Sequence, residues 1–192
     1  MLTMINLPNL ITLSRIFTIP LLVGILYFPM EINIQGRNIL ATVIFVVASL
    51  TDWFDGWLAR KLNQTSSFGA FLDPVADKLM VCTVVIILID LDRVNVIFGI
   101  IIIGREIAVS ALREWMLQVG SKHRLKVNYL GKLKTVAQMV ALPCLLYDSV
   151  IYNNFIDTRE IGFWLFGLAV ALTIISFLNY LIIALNDINN SA

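Results

Sequence analysis

Residues Asp52–Asp77 read DWFDGWLARKLNQTSSFGAFLDPVAD, a run in which acids and small residues recur at helical intervals. Its skeleton is Asp52-x2-Asp55-Gly56-x2-Ala59-Arg60-x8-Gly69-x3-Asp73-x3-Asp77. On a helix, Asp52 and Asp55 share a face, with Gly56 and Ala59 one turn further along it. Gly69, Asp73 and Asp77 make a second stripe at i, i+4 and i+8. Packed as an antiparallel pair across a Lys61–Phe68 turn, the stripes face each other and four carboxylates line one cavity. No Lys separates Asp52 from Asp55 or Asp73 from Asp77, so neither pair holds its own cation. Like charges so close raise one another's pKa, and a compensating charge is required. Divalent metal is the simplest expectation, as two ions of Mg²⁺ or Mn²⁺, which suit an all-oxygen shell. Zinc is disfavoured, because the one histidine, His123, lies in a basic loop.

The surroundings of this motif are apolar. Of 192 residues, 59% are hydrophobic and only 14% charged, which excludes an ordinary soluble domain. Six blocks stand out: Leu10–Phe28, Ile39–Trp57, Leu79–Leu91, Val94–Leu117, Leu133–Ile151 and Ile161–Leu185. Most approach the ~20 residues needed to cross a bilayer, and the third does so once its helix is extended back to about Phe71. The expected fold is an all-α polytopic membrane protein: one domain over residues 1–192, six transmembrane helices and a cytoplasm-facing active-site cavity.

Charge sets the expected orientation. Alternating the spans leaves Arg60, Lys61, Lys78, Arg105, Arg113, Lys122, Arg124, Lys126, Lys132 and Lys134 at one face, with Arg15 just inside it. Arg37, Arg93 and Arg159 fall at the other, among Glu31, Asp90, Asp92, Asp148, Asp157 and Glu160. The basic face, both termini and the acid motif are therefore expected in the cytoplasm. A cleaved signal peptide is not expected, since Arg15 interrupts the first apolar block and no small-x-small site follows Phe28. Asn6–Asn9 reads as a turn leading into the first span, with Asn9 or Thr12 as its cap. Asn63–Ser67 reads as a polar turn, and Gly120–Asn128 as a basic loop suited to anionic headgroups. Cys82 and Cys144 lie in apolar spans and read as packed thiols.

Two blander readings compete for the acids. Single aspartates at helix ends often snorkel to water, but four on matching stripes are poorly explained that way. A cation-coupled transporter would also use intramembrane acids. Against it, no ionisable residues continue through the outer halves of the spans.

The string Asp52-Trp-Phe-Asp-Gly-Trp-Leu-Ala-Arg60, with Gly69, Asp73 and Asp77, resembles the signature of the CDP-alcohol phosphatidyltransferases at all eight defining positions. The Asn9-Leu-Ile-Thr-Leu-Ser-Arg15 opening and the six spans extend the resemblance along the chain. It implies that Asp52, Asp55 and Asp73 bind a first divalent cation and Asp52, Asp73 and Asp77 a second. It further implies Asp77 as general base, with Gly56, Ala59, Arg60, Gly69 and Thr12 around the CDP moiety of CDP-diacylglycerol. Small residues suit that role, because a nucleotide must come close to the helix backbone.

The signature leaves the acceptor alcohol open. Arg105, Glu106, Arg113, Glu114, Lys132 and Lys134 occupy the cytoplasmic halves of spans four and five, and buried bases there suit an acceptor that carries a phosphate. Glu106 and Arg113, seven apart, alternatively make a plain ion pair. Lys132 and Lys134 lie ~200° apart on a helix, so one of them faces headgroups unless the helix begins after Gly131. Gly104-Arg-Glu-Ile, Ser110-Ala-Leu-Arg-Glu-Trp-Met116 and Gly131-Lys-Leu-Lys-Thr-Val-Ala-Gln-Met139 resemble the branch of the family that uses sn-glycerol 3-phosphate. That likeness implies Arg105, Arg113, Lys132 and Lys134 as acceptor-binding residues, in a bacterial inner membrane. Inositol phosphate and phosphatidylglycerol are the alternative acceptors. A homodimer is expected, with spans three and four as candidate contact helices and the interface left open, and no nucleic-acid partner.

Overall fold

The computed structural model describes residues 7–29, 31–62, 67–118, 129–151 and 156–191. Side chains of residues 7–12, 52–62, 67–71, 117, 130 and 183–191 lie outside the described set. Six helices run through the described residues: α1 Leu7–Tyr27, α2 Ile34–Leu62, α3 Ser67–Asp90, α4 Val96–Gln118, α5 Tyr129–Tyr147 and α6 Thr158–Ser191. They follow the six apolar blocks. Two of them contain stretches long and apolar enough to cross a membrane, Ile34–Thr51 and Thr158–Ile182, and Leu13–Tyr27 is a shorter apolar stretch.

Large apolar side chains cover much of the outside, and several polar and charged ones are enclosed. Phe17, Ile34, Val47, Ile97, Ile107, Trp164 and Ile182 point outward. Arg15, Asn38, Arg93, Lys134, Gln138 and Ser176 are buried. Charged groups facing the bundle interior and hydrocarbon facing out is the pattern expected where lipid is the solvent. The apolar core itself gathers Leu22, Phe45, Met80, Val84, Leu88, Ile102, Leu142, Leu145 and Phe166 from all six helices. Helix α1 packs against both α2 and α3, and α6 lies along α5 and α4. The α5–α6 approach is close: a Cβ on Gly162 would stand 2.7 Å from Leu145 Cγ and 3.1 Å from its backbone nitrogen.

Several helix ends differ from the sequence reading, each for a local reason. Helix α1 is already formed at Leu7, so Asn9 and Thr12 sit within it and do not cap it; Pro8 is tolerated in a first turn, where its missing N–H costs nothing. The caps lie elsewhere. Asn33 Oδ1 accepts from Gly36 N–H at 2.7 Å, Asn95 Oδ1 from Ile97 N–H at 2.9 Å and Asp157 Oδ1 from Arg159 N–H at 2.9 Å, opening α2, α4 and α6. Helix α2 runs to Leu62 and α3 starts at Ser67, so Lys61 and Phe68 are helical and the connection is shorter than expected; residues 63–66 lie outside the described residues, as does the basic loop. Helix α5 stops at Tyr147 and not at Ile151. Asp148 turns left-handed there (φ 45°), and Val150–Ile151 (β1) pairs antiparallel with Ile156–Asp157 (β2), Val150 opposite Asp157.

The α3–α4 connection is a tight C-cap. Asp92 adopts φ 54°, Arg93 N–H reaches Leu88 O at 2.8 Å and Asp92 N–H reaches Ile89 O at 3.0 Å, the paired bonds of a Schellman motif. This turn delivers the Arg93 side chain into the base of α5. Its Nη1 donates to Leu145 O and Leu146 O at 3.1 and 2.8 Å, its Nη2 to Asn38 Oδ1 at 3.0 Å, and its Nε meets Asp148 Oδ2 at 3.1 Å. Burial pushes the guanidinium below its ordinary pKa, and the Asp148 charge acts the other way. Arg93, expected at one face beside Asp148 and other acids, is a buried knot joining α2, α5 and the α3–α4 turn.

Candidate active site

Helix α3 carries Asp73 and Asp77 one turn apart, so both carboxylates project to one side. Pro74 stands between them and has no N–H to offer the carbonyl four residues back, which loosens the backbone ladder at this point. What they meet is Arg15, from the middle of α1. Its Nη1 donates to Asp77 Oδ1 at 2.6 Å, and its Nη2 lies 3.9 Å from Asp73 Oδ1. The Arg15 side chain is 2% exposed, whereas Asp73 and Asp77 are 46% and 40% exposed. A guanidinium driven into the bundle thus holds two acids that open outward.

Part of the positive charge expected among these acids is therefore supplied by a side chain, Arg15. The cation is contributed by a third helix, invisible to a search for Lys within the acid pairs. Sequence reasoning used Arg15 for topology, against a signal peptide and in the family resemblance, and gave it no partner. The signal that could have found it was its position inside an apolar block, where an arginine needs an acidic partner.

Backbone helix runs through Asp52, Asp55, Gly56, Ala59 and Arg60 in α2 and through Gly69 in α3. The side chains of these residues, and of Thr12 in α1, lie outside the described residues, so the meeting of the two stripes does too. Among the described residues no group of three or more metal-ligating side chains is assembled. Beside Arg15 runs a cavity of about 230 Å³, lined by Ser14, Arg15 and Thr18 of α1 and by Ile44, Ala48 and Thr51 of α2.

A second charged cluster joins α4, α5 and α6. Glu106 Oε1 accepts from Lys134 Nζ and, at 3.4 Å, from Arg105 Nη1. Arg105 Nη2 donates to Ser176 Oγ at 3.1 Å, and the Tyr180 ring lies 5.9 Å from the guanidinium carbon. Of the four expected acceptor residues, Arg105 and Lys134 are therefore brought together, and Arg113 and Lys132 are exposed. Buried bases were expected here, and Arg113 departs from that expectation by being exposed. Helix α5 begins at Tyr129, ahead of Gly131, so the ~200° separation holds and only Lys134 turns inward. Glu106 is met by Lys134 and not by Arg113. Cys82 and Cys144 are free, half-buried thiols, as the sequence suggested.

The described helices thus place two aspartates one turn apart on α3, held by Arg15 of α1, and a separate base–acid cluster where α4, α5 and α6 meet. The family profile of the CDP-alcohol phosphatidyltransferases matches residues 5–175, and the chain belongs to that family of transferases. A Haemophilus influenzae protein named CDP-diacylglycerol–glycerol-3-phosphate 3-phosphatidyltransferase is 43% identical over 181 residues, 93% of each chain. Proteins of the same name from Escherichia coli K12 and Shigella flexneri serotype 5b are each 42% identical over 185 residues, 95% of this chain and 97% of theirs.

Proposed function

We propose that the protein transfers the phosphatidyl group of CDP-diacylglycerol to sn-glycerol 3-phosphate, giving phosphatidylglycerophosphate and CMP. The observation that carries this reading is near full-length similarity to enzymes named for that reaction, in a chain with all eight signature positions intact.

Asp52, Asp55, Asp73 and Asp77 would hold two divalent cations, Mg²⁺ or Mn²⁺; a donor set made only of carboxylates fits such ions. When bound, the ions supply charge neutralisation to the pyrophosphate and to the departing CMP. Asp77 accepts the proton of the acceptor's 1-hydroxyl as that oxygen attacks the β-phosphorus of the donor. The bond from this phosphorus to the CMP oxygen then breaks. Arg15 fixes Asp77 against α1, so the base is held by a buried group and is not left to swing with solvent. Gly56, Ala59, Arg60, Gly69 and Thr12 surround the CDP moiety. The apolar cavity between α1 and α2 suits an acyl tail of the donor. Arg105 and Lys134, with Arg113 and Lys132 nearer the water, hold the acceptor phosphate.

The placement that serves this chemistry has six spans, with both termini and the site at the cytoplasmic face of a bacterial inner membrane, and a homodimer as the assembly. The donor's tails then stay in lipid while nucleotide and acceptor come from water.

The test is CMP release from CDP-diacylglycerol by purified protein offered a panel of alcohols. Release is expected with sn-glycerol 3-phosphate alone and is expected to stop in excess chelator. Asp77→Asn is expected to lower turnover by about 10²–10⁴-fold while donor binding persists. Release that is indifferent to acceptor or chelator, or near-normal turnover in the variant, would overturn the mechanism.

A further inference from the structure

The cluster joining α4, α5 and α6 contains an acid that phosphate binding does not call for. Glu106 lies on α4 beside two of the bases expected to bind an anion, and its carboxylate repels a phosphate. Yet it is the meeting point of the cluster: one oxygen, Oε1, takes both Lys134 of α5 and Arg105 of α4. Lys134 is 3% exposed at its side chain and Arg105 13%, so neither cation is bathed in water. Two buried cations from different helices repel each other and hold one place only with an anion between them. On its other side Arg105 is pinned by α6, through Ser176 and the Tyr180 ring. Ser176 and Tyr180 are themselves buried, which leaves the guanidinium little freedom to swing away.

We propose that Glu106 is a positioning residue of the acceptor site. Its carboxylate stands between Arg105 and Lys134 and keeps them paired while no acceptor is bound; Ser176 fixes the far edge of Arg105. An arriving phosphate monoester then finds two donors already oriented and does not have to gather them from two helices. The inference rests on the acceptor reading of Arg105 and Lys134, and it goes beyond that reading by giving roles to residues that never touch the substrate.

The experiment measures CMP release against sn-glycerol 3-phosphate concentration for Glu106→Ala, Glu106→Gln, Ser176→Ala and Lys134→Ala, with the donor saturating. Glu106→Ala is expected to raise the acceptor KM by about tenfold or more, on the scale of one charge-assisted hydrogen bond, with the donor KM unmoved. Glu106→Gln, which keeps an accepting oxygen but not the negative charge between the two bases, is expected to recover only a minor part of that loss. Ser176→Ala is expected to raise the acceptor KM about threefold, and it carries the test if Glu106→Ala does not fold. A merely structural role would lower kcat or the yield of folded protein and leave the acceptor KM alone, and that result overturns the proposal. An unchanged acceptor KM in Glu106→Ala beside a raised one in Lys134→Ala rejects the positioning role alone. An unchanged KM in Lys134→Ala rejects the acceptor assignment beneath it.

Discussion

Arg15 shows how one side chain can organise a site assembled from several helices. Its guanidinium is buried on α1 and spans the carboxylates of Asp77 and Asp73, at 2.6 and 3.9 Å. A planar fork reaches two acids at once, which a single ammonium does not. Arg15→Gln is expected to lower stability by about 1.5–3 kcal/mol, the worth of a hydrogen bond to a charged group, read as a drop in detergent melting temperature. Arg15→Lys is expected to recover only part of it; full recovery would show that charge alone matters and that the fork is irrelevant. The four aspartates were legible in the sequence because they repeat at helical spacing. The role of Arg15 was not, because the pairing spans 62 residues and its place inside an apolar block signals a need for an acid without saying which.

At the scale of elements, the six helices were legible from apolar block length, and their ends much less so. Asn33, Asn95 and Asp157 are sound N-caps, but each sits among other polar residues that compete for the same reading. Asp92 and Asp148 reverse the chain with positive φ, a task for which sequence intuition looks for glycine. Glycine is used instead for proximity. Gly162→Ala is expected to cost about 1–3 kcal/mol, since its methyl would stand 2.7 Å from Leu145 Cγ and would push α6 off α5. Gly167, where an added Cβ would meet nothing within 4 Å, is the control on the same helix. Gly167→Ala is expected to gain about 0.5–1 kcal/mol from helix propensity. Equal thermal shifts in the two variants would count against the close α5–α6 contact.

Over the whole molecule, the separation of charges into two sets was visible in the sequence, but the depth of individual charges was not. Periodicity predicts a stripe; it does not say that Lys134 is enclosed and Lys132 is not until the start of α5 is known. Topology is tested by cysteine labelling after Cys82 and Cys144 are replaced by Ala. Ile156→Cys, on exposed β2, is expected to react with an impermeant maleimide in intact cells. Tyr129→Cys, exposed at the start of α5, is expected to react only after permeabilisation. The opposite pattern would invert the proposed orientation.

The knot at Arg93 bears on motion. It ties α2, α5 and the α3–α4 turn at the far end of α3 from the aspartates, about 20 Å along the helix from Asp77 at 1.5 Å per residue. Rods fastened together at one tip behave like tweezers: small flexing near the fastening becomes the widest displacement at the free tips. The fastened tip keeps α2, α3 and α5 in register, so any flexing of α3 relative to α5 is expected to be widest toward Asp77.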